Sequence, residues 1–168
     1  MNMHSPYPTP FGATEFRDVL GRFATGVAVV TTCGDEGAPV GLAVNSFASV
    51  SLDPPEILWS IVSNAPSRSA FKQHGAFAVN VMAEESKDQT LQFARPSDDK
   101  FGGVAWKKGW RDVPVLDSAI ATLECAIKEM IPCGDHHIIV GSVRAINCTD
   151  GDPLVFFRGQ FSSLGATV

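Results

Sequence analysis

Apolar residues recur along the chain with two different spacings, and the first is typical of a helix. Near the N-terminus an apolar residue returns every three or four positions, as on one helix face: Phe16, Val19, Leu20 and Phe23. This spacing predicts a helix over residues 14–25, with Thr14 as its N-cap and Gly26 at its end. Further helices are predicted over residues 67–73 and 84–94.

The second spacing is typical of short strands. These segments are either continuously apolar or alternate between apolar and polar residues, and turns rich in Gly, Pro and Asp bound them. Strands with turns every eight to twelve residues favour a closed antiparallel barrel over a doubly wound sheet, because the latter needs alternating strands and helices. The predicted fold is therefore mainly β with flanking helices, and a long loop is expected over residues 98–112. The predicted strands cover residues 27–32, 39–44, 47–52, 57–62, 76–81, 121–127, 138–146 and 154–157.

Length and composition fit one globular domain. The chain has 168 residues, of which 45% are hydrophobic and 18% charged. Residues 1–13 are proline-rich and predict a flexible N-terminal arm, and residues 14–168 predict a single domain. No run approaches the roughly 20 apolar residues of a membrane-spanning helix, and the N-terminus lacks the pattern of a signal peptide. We therefore expect a cytoplasmic protein with no membrane partner.

The charge balance argues against nucleic acid as a partner. The net charge is −5, and the 13 Lys and Arg residues are scattered along the chain. An anionic ligand would therefore need a local set of donors. The cysteines are spaced too irregularly for a disulfide framework and are expected to be free thiols: Cys33, Cys125, Cys133 and Cys148.

Hydroxyl and amide donors cluster in two segments, residues 45–51 and residues 63–69. In the second segment Ser67 and Arg68 stand at the start of a predicted helix, where free N–H groups, hydroxyls and an Arg can bind an anion. The same serines are also ordinary turn and cap residues, so both interpretations stay open. Neither a dinucleotide-binding Gly-x-Gly-x-x-Gly nor a P-loop is present. No nucleophile grouping stands out, which suits an enzyme whose cofactor carries the chemistry.

His136 follows a Gly-Asp turn and precedes an apolar strand, which would place it at the rim of the barrel. There it could contact a ligand and titrate near neutrality. A metal site would add Cys133 and His137, but a second, distant pair of ligands is lacking, so no metal is expected. The remaining interpretation is a solvent-facing loop histidine.

Several segments together resemble the short-chain flavin reductases, which are the reductase components of two-component flavin-dependent monooxygenases. The block Asn-Ser-Phe…Ser-Leu-Asp-Pro-Pro and the triplet Gly-Asp-His are specific in combination. The resemblance implies an antiparallel split β-barrel, usually dimeric, that reduces FMN or FAD with NADH or NADPH. It spans about residues 16–161 and is carried by residues 23–32, 39–55, 67–69, 77–81, 99–101, 134–136 and 153–159.

The resemblance also assigns the site residues. The isoalloxazine ring would contact Gly41, Leu42, Ala43, Asn45, Ser46, Phe47 and Ala48. The ribityl chain and phosphate would contact Ser49, Ser51, Ser67, Arg68 and Ser69, beside Ser63 and Asn64 of the same donor segment, with Lys100 and Phe101 closing the site. The nicotinamide nucleotide would face the catalytic residue His136, together with Arg158 and Phe161.

The implied function is that of an NAD(P)H:flavin oxidoreductase that transfers a hydride to FMN or FAD and supplies the reduced flavin to a monooxygenase. The alternative is a split-barrel flavoprotein that holds FMN tightly as an oxidase, an electron carrier or a flavin-storage module. A homodimer is expected from the resemblance and from Trp106 and Trp110 in the long loop, because exposed aromatic residues are enriched at interfaces. A core position for both tryptophans is equally compatible with the sequence.

Overall fold

The computed structural model of this chain describes residues 9–165. Residues 1–8, most of the predicted N-terminal arm, lie outside the described residues. No helix in residues 9–165 is long and apolar enough to cross a membrane. The helices and strands of this range are α1 Ala13–Leu20, β1 Thr25–Gly26, β2 Ala28–Cys33, β3 Pro39–Val44, β4 Ala48–Leu52, β5 Pro55–Val62, α2 Arg68–His74, β6 Ala76–Met82, α3 Lys87–Ala94, β7 Trp106–Lys108, β8 Pro114–Leu116, β9 Ala119–Cys133, β10 His136–Cys148, β11 Val155–Phe157 and β12 Gln160–Ser162.

The main sheet is antiparallel and has seven strands in the order β3-β2-β6-β9-β10-β5-β4. Its edge strands, β3 and β4, are consecutive in the chain and are joined by residues 45–47 alone. A flat sheet of this size would hold its edges about 29 Å apart. The short connection spans at most about 15 Å, so the sheet must curl until its edges approach each other. Because β3 and β4 do not pair, the barrel is split. The split barrel that the resemblance implied is therefore confirmed, and the closed barrel that the turn spacing favoured is wrong.

The interior of the described residues contains three apolar clusters, and the two larger ones lie on opposite faces of β2. In the first, the Trp59 ring packs edge-on against Phe71 and Phe77, with ring centroids 5.0 and 5.8 Å apart. The second contains Val29 and Phe93. Strand β2 is therefore buried along its whole length, and its hydroxyls bond to protein groups, as buried polar groups require.

The first predicted helix is shorter than the apolar pattern indicated. Helix α1 begins after Gly12, so Thr14 is not its N-cap, and it ends at Leu20 because Thr25 and Gly26 pair with β11. Its apolar stripe is exposed, since none of its residues is buried, although the Phe16 ring packs against Phe11 with ring centroids 5.6 Å apart. Pairing with a distant strand thus overrides the local helical pattern.

The second half also differs from expectation in two places. The predicted loop over residues 98–112 contains β7, which pairs with β8. Trp106 packs against the second cluster, and Trp110 packs against Ala76 and its neighbours in a third, smaller one. Strands β9 and β10 are 15 and 13 residues long, so His136 begins a strand and does not lie in a loop. Their mutual pairing extends both strands beyond their apolar segments.

Candidate functional site

A cavity of about 650 Å³ opens beside the edge strand β3. Strand β3 forms one wall, the residues before α2 form the second, and the end of α3 with the following loop forms the third. Its volume lies in the range of cavities that bind small organic molecules and cofactors. The lining residues are Pro39, Val40, Gly41, Leu42, Ala43, Ala65, Pro66, Ser67, Phe93, Ala94, Arg95, Pro96, Ser97, Asp98 and Lys100.

The β3 wall offers backbone groups to a ligand. The strand pairs with β2 on one side only, so the N–H and C=O groups of its other side have no strand partner. Gly41 lies in the middle of this wall, and a Cβ there would be 2.8 Å from Cε1 of Phe93. Glycine therefore permits the Phe93 ring to pack against the strand. Phe93 is in turn supported edge to face by Phe101, with ring centroids 5.0 Å apart.

The side chain of Lys100 lies on the wall opposite β3. The Lys100 Nζ atom donates to the carbonyl of Phe93 at 3.0 Å, near the end of α3. Burial lowers the pKa of this lysine. The side-chain amide of Gln92 donates to the carbonyls of Lys100 and Gly102 at 3.1 and 3.0 Å, which holds the loop in place. The lysine is thus kept on the cavity wall by side-chain and backbone bonds.

Three polar residues of this wall were missed by sequence reasoning: Arg95, Ser97 and Asp98. A signal for them was available in Pro96, because a helix does not continue into the residue before proline and the chain must turn there. Across the cavity, Ser67 is half-buried and its hydroxyl does not cap α2. The cavity therefore offers Ser67, Arg95 and Lys100 as donors to an anion.

A second cavity of about 150 Å³ adjoins the first and shares Ala43 and Ala94 with it. Phe156 and Phe161 form an edge-to-face pair on its wall, with ring centroids 5.6 Å apart. A cavity of about this volume accommodates one six-membered ring. Its lining residues are Val27, Ala43, Val44, Asn45, Ala94, Phe156 and Phe161.

The structure thus brings together part of the predicted site, including one residue, Phe161, that was assigned to the nicotinamide nucleotide. Gly41, Leu42, Ala43, Ser67 and Lys100 line the large cavity, and Ala43, Asn45 and Phe161 line the small one. Phe101 supports the wall from behind.

Other predicted residues line neither cavity, and several of them have structural contacts within the chain. The Ser46 hydroxyl accepts the N–H of Ser60 at 3.0 Å, and Phe47 packs against the first cluster. Ser69 approaches the Pro66 carbonyl at 3.5 Å. The other residues of this set are Ala48, Ser49, Ser51, Ser63, Asn64 and Arg68; the first three belong to β4, which pairs with β5.

His136 and His137 lie on opposite faces of β10. His137 pairs directly with Ile61, a core residue, and its Nδ1 atom is 3.0 Å from the Ser63 hydroxyl. His136 pairs with the exposed Val62 on the outward face, and its Nδ1 atom is 2.7 Å from Oδ1 of Asp135. This hydrogen bond, together with the charge of His136, lowers the pKa of Asp135. Arg158 is exposed in the turn between β11 and β12, and like His136 it lines neither cavity of the single chain.

An antiparallel split barrel with a nucleotide-sized cavity beside one of its edge strands belongs to the class of nucleotide-binding split barrels. Comparison with known proteins defines the family within this class, because a model of the flavin reductase-like domain matches residues 20–165. The chain belongs to the flavin reductase-like domain family.

Individual relatives agree with this assignment. The chain is 42% identical over 147 residues to the reductase component of the flavin-dependent trigonelline monooxygenase of Acinetobacter baylyi, covering 88% of this chain and 47% of that protein. It is 40% identical over 160 residues to the FMN reductase (NADH) SmoA of Agrobacterium fabrum, covering 95% of this chain and 91% of that protein. The chain thus spans about half the length of the Acinetobacter protein and nearly all of the Agrobacterium protein.

A solved structure supports the fold. The NADH:FAD oxidoreductase SgcE6 of Streptomyces globisporus, in complex with NAD and FAD fragments, superposes with a TM-score of 0.87 at 34% identity, covering 96% of this chain and 98% of that one.

Proposed function

We propose that this protein is an NAD(P)H:flavin oxidoreductase that transfers a hydride from NADH or NADPH to FMN or FAD, with residues 14–168 as its single domain. The observation that carries the proposal is the adjacency of the two cavities, which share Ala43 and Ala94. One is large enough for much of a flavin nucleotide and the other for a single ring. Two ring systems would therefore meet where the cavities adjoin, beside two small side chains.

The chain would contribute position and electrostatics. Flavin supplies the hydride acceptor, and the nicotinamide nucleotide supplies the donor. Hydride transfer needs the reacting atoms about 3–3.5 Å apart, and no side-chain acid has to take part in it. Backbone N–H groups on the unpaired side of β3 would stabilise the negative charge that the ring gains on reduction.

The phosphate end of the flavin would lie among Ser67, Arg95 and Lys100, which provide hydroxyl, guanidinium and ammonium donors. The resemblance assigns His136 and Arg158 to the nicotinamide nucleotide. Because the small cavity holds only one ring, the rest of the nicotinamide nucleotide would extend beyond it. His136 and Arg158 would contact that part of the nucleotide.

The decisive experiment mixes the purified protein with NADH and an excess of free flavin under nitrogen and follows the NADH absorbance. Many turnovers per protein are expected. Binding of FMN without turnover, or oxidation of another substrate by retained FMN in the absence of NADH, would instead favour the flavoprotein that holds FMN as a store, carrier or oxidase.

We further propose that the protein acts in the cytoplasm and delivers reduced flavin to a partner monooxygenase. The support is the trigonelline monooxygenase relative, whose name describes a reductase component. Transfer is tested by adding the purified oxygenase encoded nearest to this chain and following formation of the hydroxylated product. Product should form at a rate limited by the reductase, and no product with any candidate oxygenase would argue against this role.

We also propose a homodimer. Trp106 and Trp110 pack within the chain and are half-buried, whereas α1 and the turn after it present an apolar stripe to solvent: Phe16, Val19, Leu20 and Phe23, with exposed fractions of 49 to 78%. The outward face of the main sheet also exposes apolar residues, among them Val62 and Ile131. A second copy could lay its helix on this sheet and receive the same contact in return, as twofold symmetry requires.

Sedimentation equilibrium tests the dimer, because the chain mass is 17.9 kDa and a dimer has twice this mass. Replacing Val19 and Phe23 together by serine should yield monomers that keep the fold. A wild-type protein that sediments as a monomer at micromolar concentration would contradict the proposal.

A further inference from the structure

The loop after α3 carries Lys100 onto the wall of the large cavity, and one side chain holds the backbone of this loop. The side-chain nitrogen of Gln92 donates to the carbonyl oxygens of Lys100 and Gly102, at 3.1 and 3.0 Å. In the described part of the chain, no backbone–backbone hydrogen bond joins residues 96–103 to another helix or strand. The Phe101 ring packs against the second apolar cluster, and Gln92 holds the backbone on both sides of that ring.

The contacts of the Gln92 amide fix its orientation. Its nitrogen carries two N–H groups, and carbonyl oxygens only accept hydrogen bonds, so both donors are used and the amide cannot be reversed. Gln92 is half-buried and lines neither cavity. An effect of Gln92 on a ligand must therefore pass through the loop that it holds.

The place of the Lys100 ammonium depends on this backbone. Its Nζ atom donates to the Phe93 carbonyl at 3.0 Å, which uses one of three N–H donors and leaves two for an anion in the cavity. A lysine has a flexible four-carbon stem, so its charge is localised only when both ends of the side chain are held. Gln92 holds the backbone end and the Phe93 carbonyl holds the other. A donor ordered in advance binds its ligand more tightly, because less order is lost on binding.

We infer that Gln92 is a positioning residue for the flavin phosphate, because its two hydrogen bonds fix the backbone from which Lys100 reaches that phosphate. The inference rests on the flavin site of the proposed function and goes beyond it, since Gln92 itself contacts no ligand. Without these two bonds Lys100 would keep its charge but would have to be ordered when the flavin binds. The loss of affinity should then be no larger than the loss caused by removing the lysine.

The test compares FMN with riboflavin, which lacks the phosphate, in fluorescence titrations of the full chain. The ratio of the two Kd values isolates the phosphate contact, because a general loosening of the site would weaken both ligands alike. Gln92→Met removes both donors and nearly keeps the side-chain length. Gln89→Met is the matched control, because Gln89 is also half-buried on α3, accepts a hydrogen bond from the Ser118 hydroxyl and lines neither cavity.

Gln92→Met should weaken FMN binding about threefold to tenfold, as expected for lost hydrogen bonds, and should leave riboflavin affinity nearly unchanged. Gln89→Met should keep the wild-type ratio of the two Kd values. The double variant of Gln92→Met and Lys100→Met should bind FMN as weakly as Lys100→Met alone, because Gln92 then has no ammonium to position.

Unchanged FMN affinity in Gln92→Met would overturn the inference, and so would equal weakening of FMN and riboflavin, the same change in Gln89→Met, or losses that add in the double variant. A wild-type protein that binds both flavins equally would also overturn it. If Gln92→Met does not fold, Gln92→Ala gives the same test, since alanine favours the helix and lacks both donors. Oxidation of NADH by the wild-type protein is measured separately. Its absence would overturn the proposed function, while the titrations would still decide the role of Gln92.

Discussion

Replacing Gly41 by alanine tests whether the β3 wall shapes the flavin site. The new Cβ would lie 2.8 and 2.9 Å from Cε1 and Cδ1 of Phe93 and 3.3 Å from Cζ of Phe101, whereas ordinary contacts begin at 3.4 Å. Phe93 must therefore move by about 0.6 Å, and as a buried residue it has little room to do so. Overpacking of this kind costs about 1–3 kcal/mol.

For a chain of this size, each kcal/mol lowers the melting temperature by about 2–4 °C, which scanning calorimetry resolves. Because Phe93 lines the large cavity, Gly41→Ala should also weaken flavin binding in a fluorescence titration. Gly141→Ala is the matched control, since its Cβ would meet Phe77 at 2.5 Å in the core, away from both cavities. If both variants lose stability while Gly41→Ala binds flavin normally, the wall has no role in the site.

The remaining predictions concern charge, buried hydroxyls, thiols and histidine. Lys100→Met should weaken flavin binding by about tenfold in titrations. The effect should exceed that of Arg68→Ala, because Lys100 lines the large cavity and Arg68 does not. Burial lowers the pKa of Lys100, so the wild-type affinity for flavin should decline as the pH rises, at pH values below the usual lysine pKa of about 10.4. The same decline in Lys100→Met would show that another group causes it. The hydroxyl oxygens of Thr25 and Thr122 are buried without hydrogen-bond partners in the described part of the chain. Thr25→Val and Thr122→Val should therefore leave the urea midpoint unchanged or raise the free energy of unfolding by about 1 kcal/mol. Clear destabilisation by both substitutions would contradict this prediction. At pH 8 a thiol reagent should modify Cys133 and Cys148 but not Cys125, because burial, and secondarily the charge of Glu124, raises the pKa of Cys125 to about 12; mass spectrometry identifies the labelled residues. His136→Ala should raise the KM for NADH about fivefold to a hundredfold with little change in flavin affinity, and His137→Ala should instead affect stability through Ser63; the reverse pattern would contradict the assignment of the two faces.

Local sequence determined those elements whose burial and turns are encoded in adjacent residues. Strand β3 follows the predicted bounds, and α2 begins and ends one residue after its predicted bounds, just before Gly75, where φ is +71° and glycine is favoured. Strand β2 was found because a β-branched run is typical of a strand buried on both faces. The family resemblance pointed to five residues of the large cavity wall, since its motif residues on β3 and at the start of α2 occupy fixed positions in the chain.

Tertiary structure decided which of these residues share a cavity. Arg95 reaches the wall because α3 packs against β3, and sequence patterns do not encode that packing. The end of α1 and the lengths of β9 and β10 depend on pairing with strands far away in the chain. Hydrophobic periodicity reports which face of an element is apolar but not what covers it. For this reason the sequence predicted the apolar stripe of α1, and only the structure revealed that the described part of the chain leaves this stripe exposed.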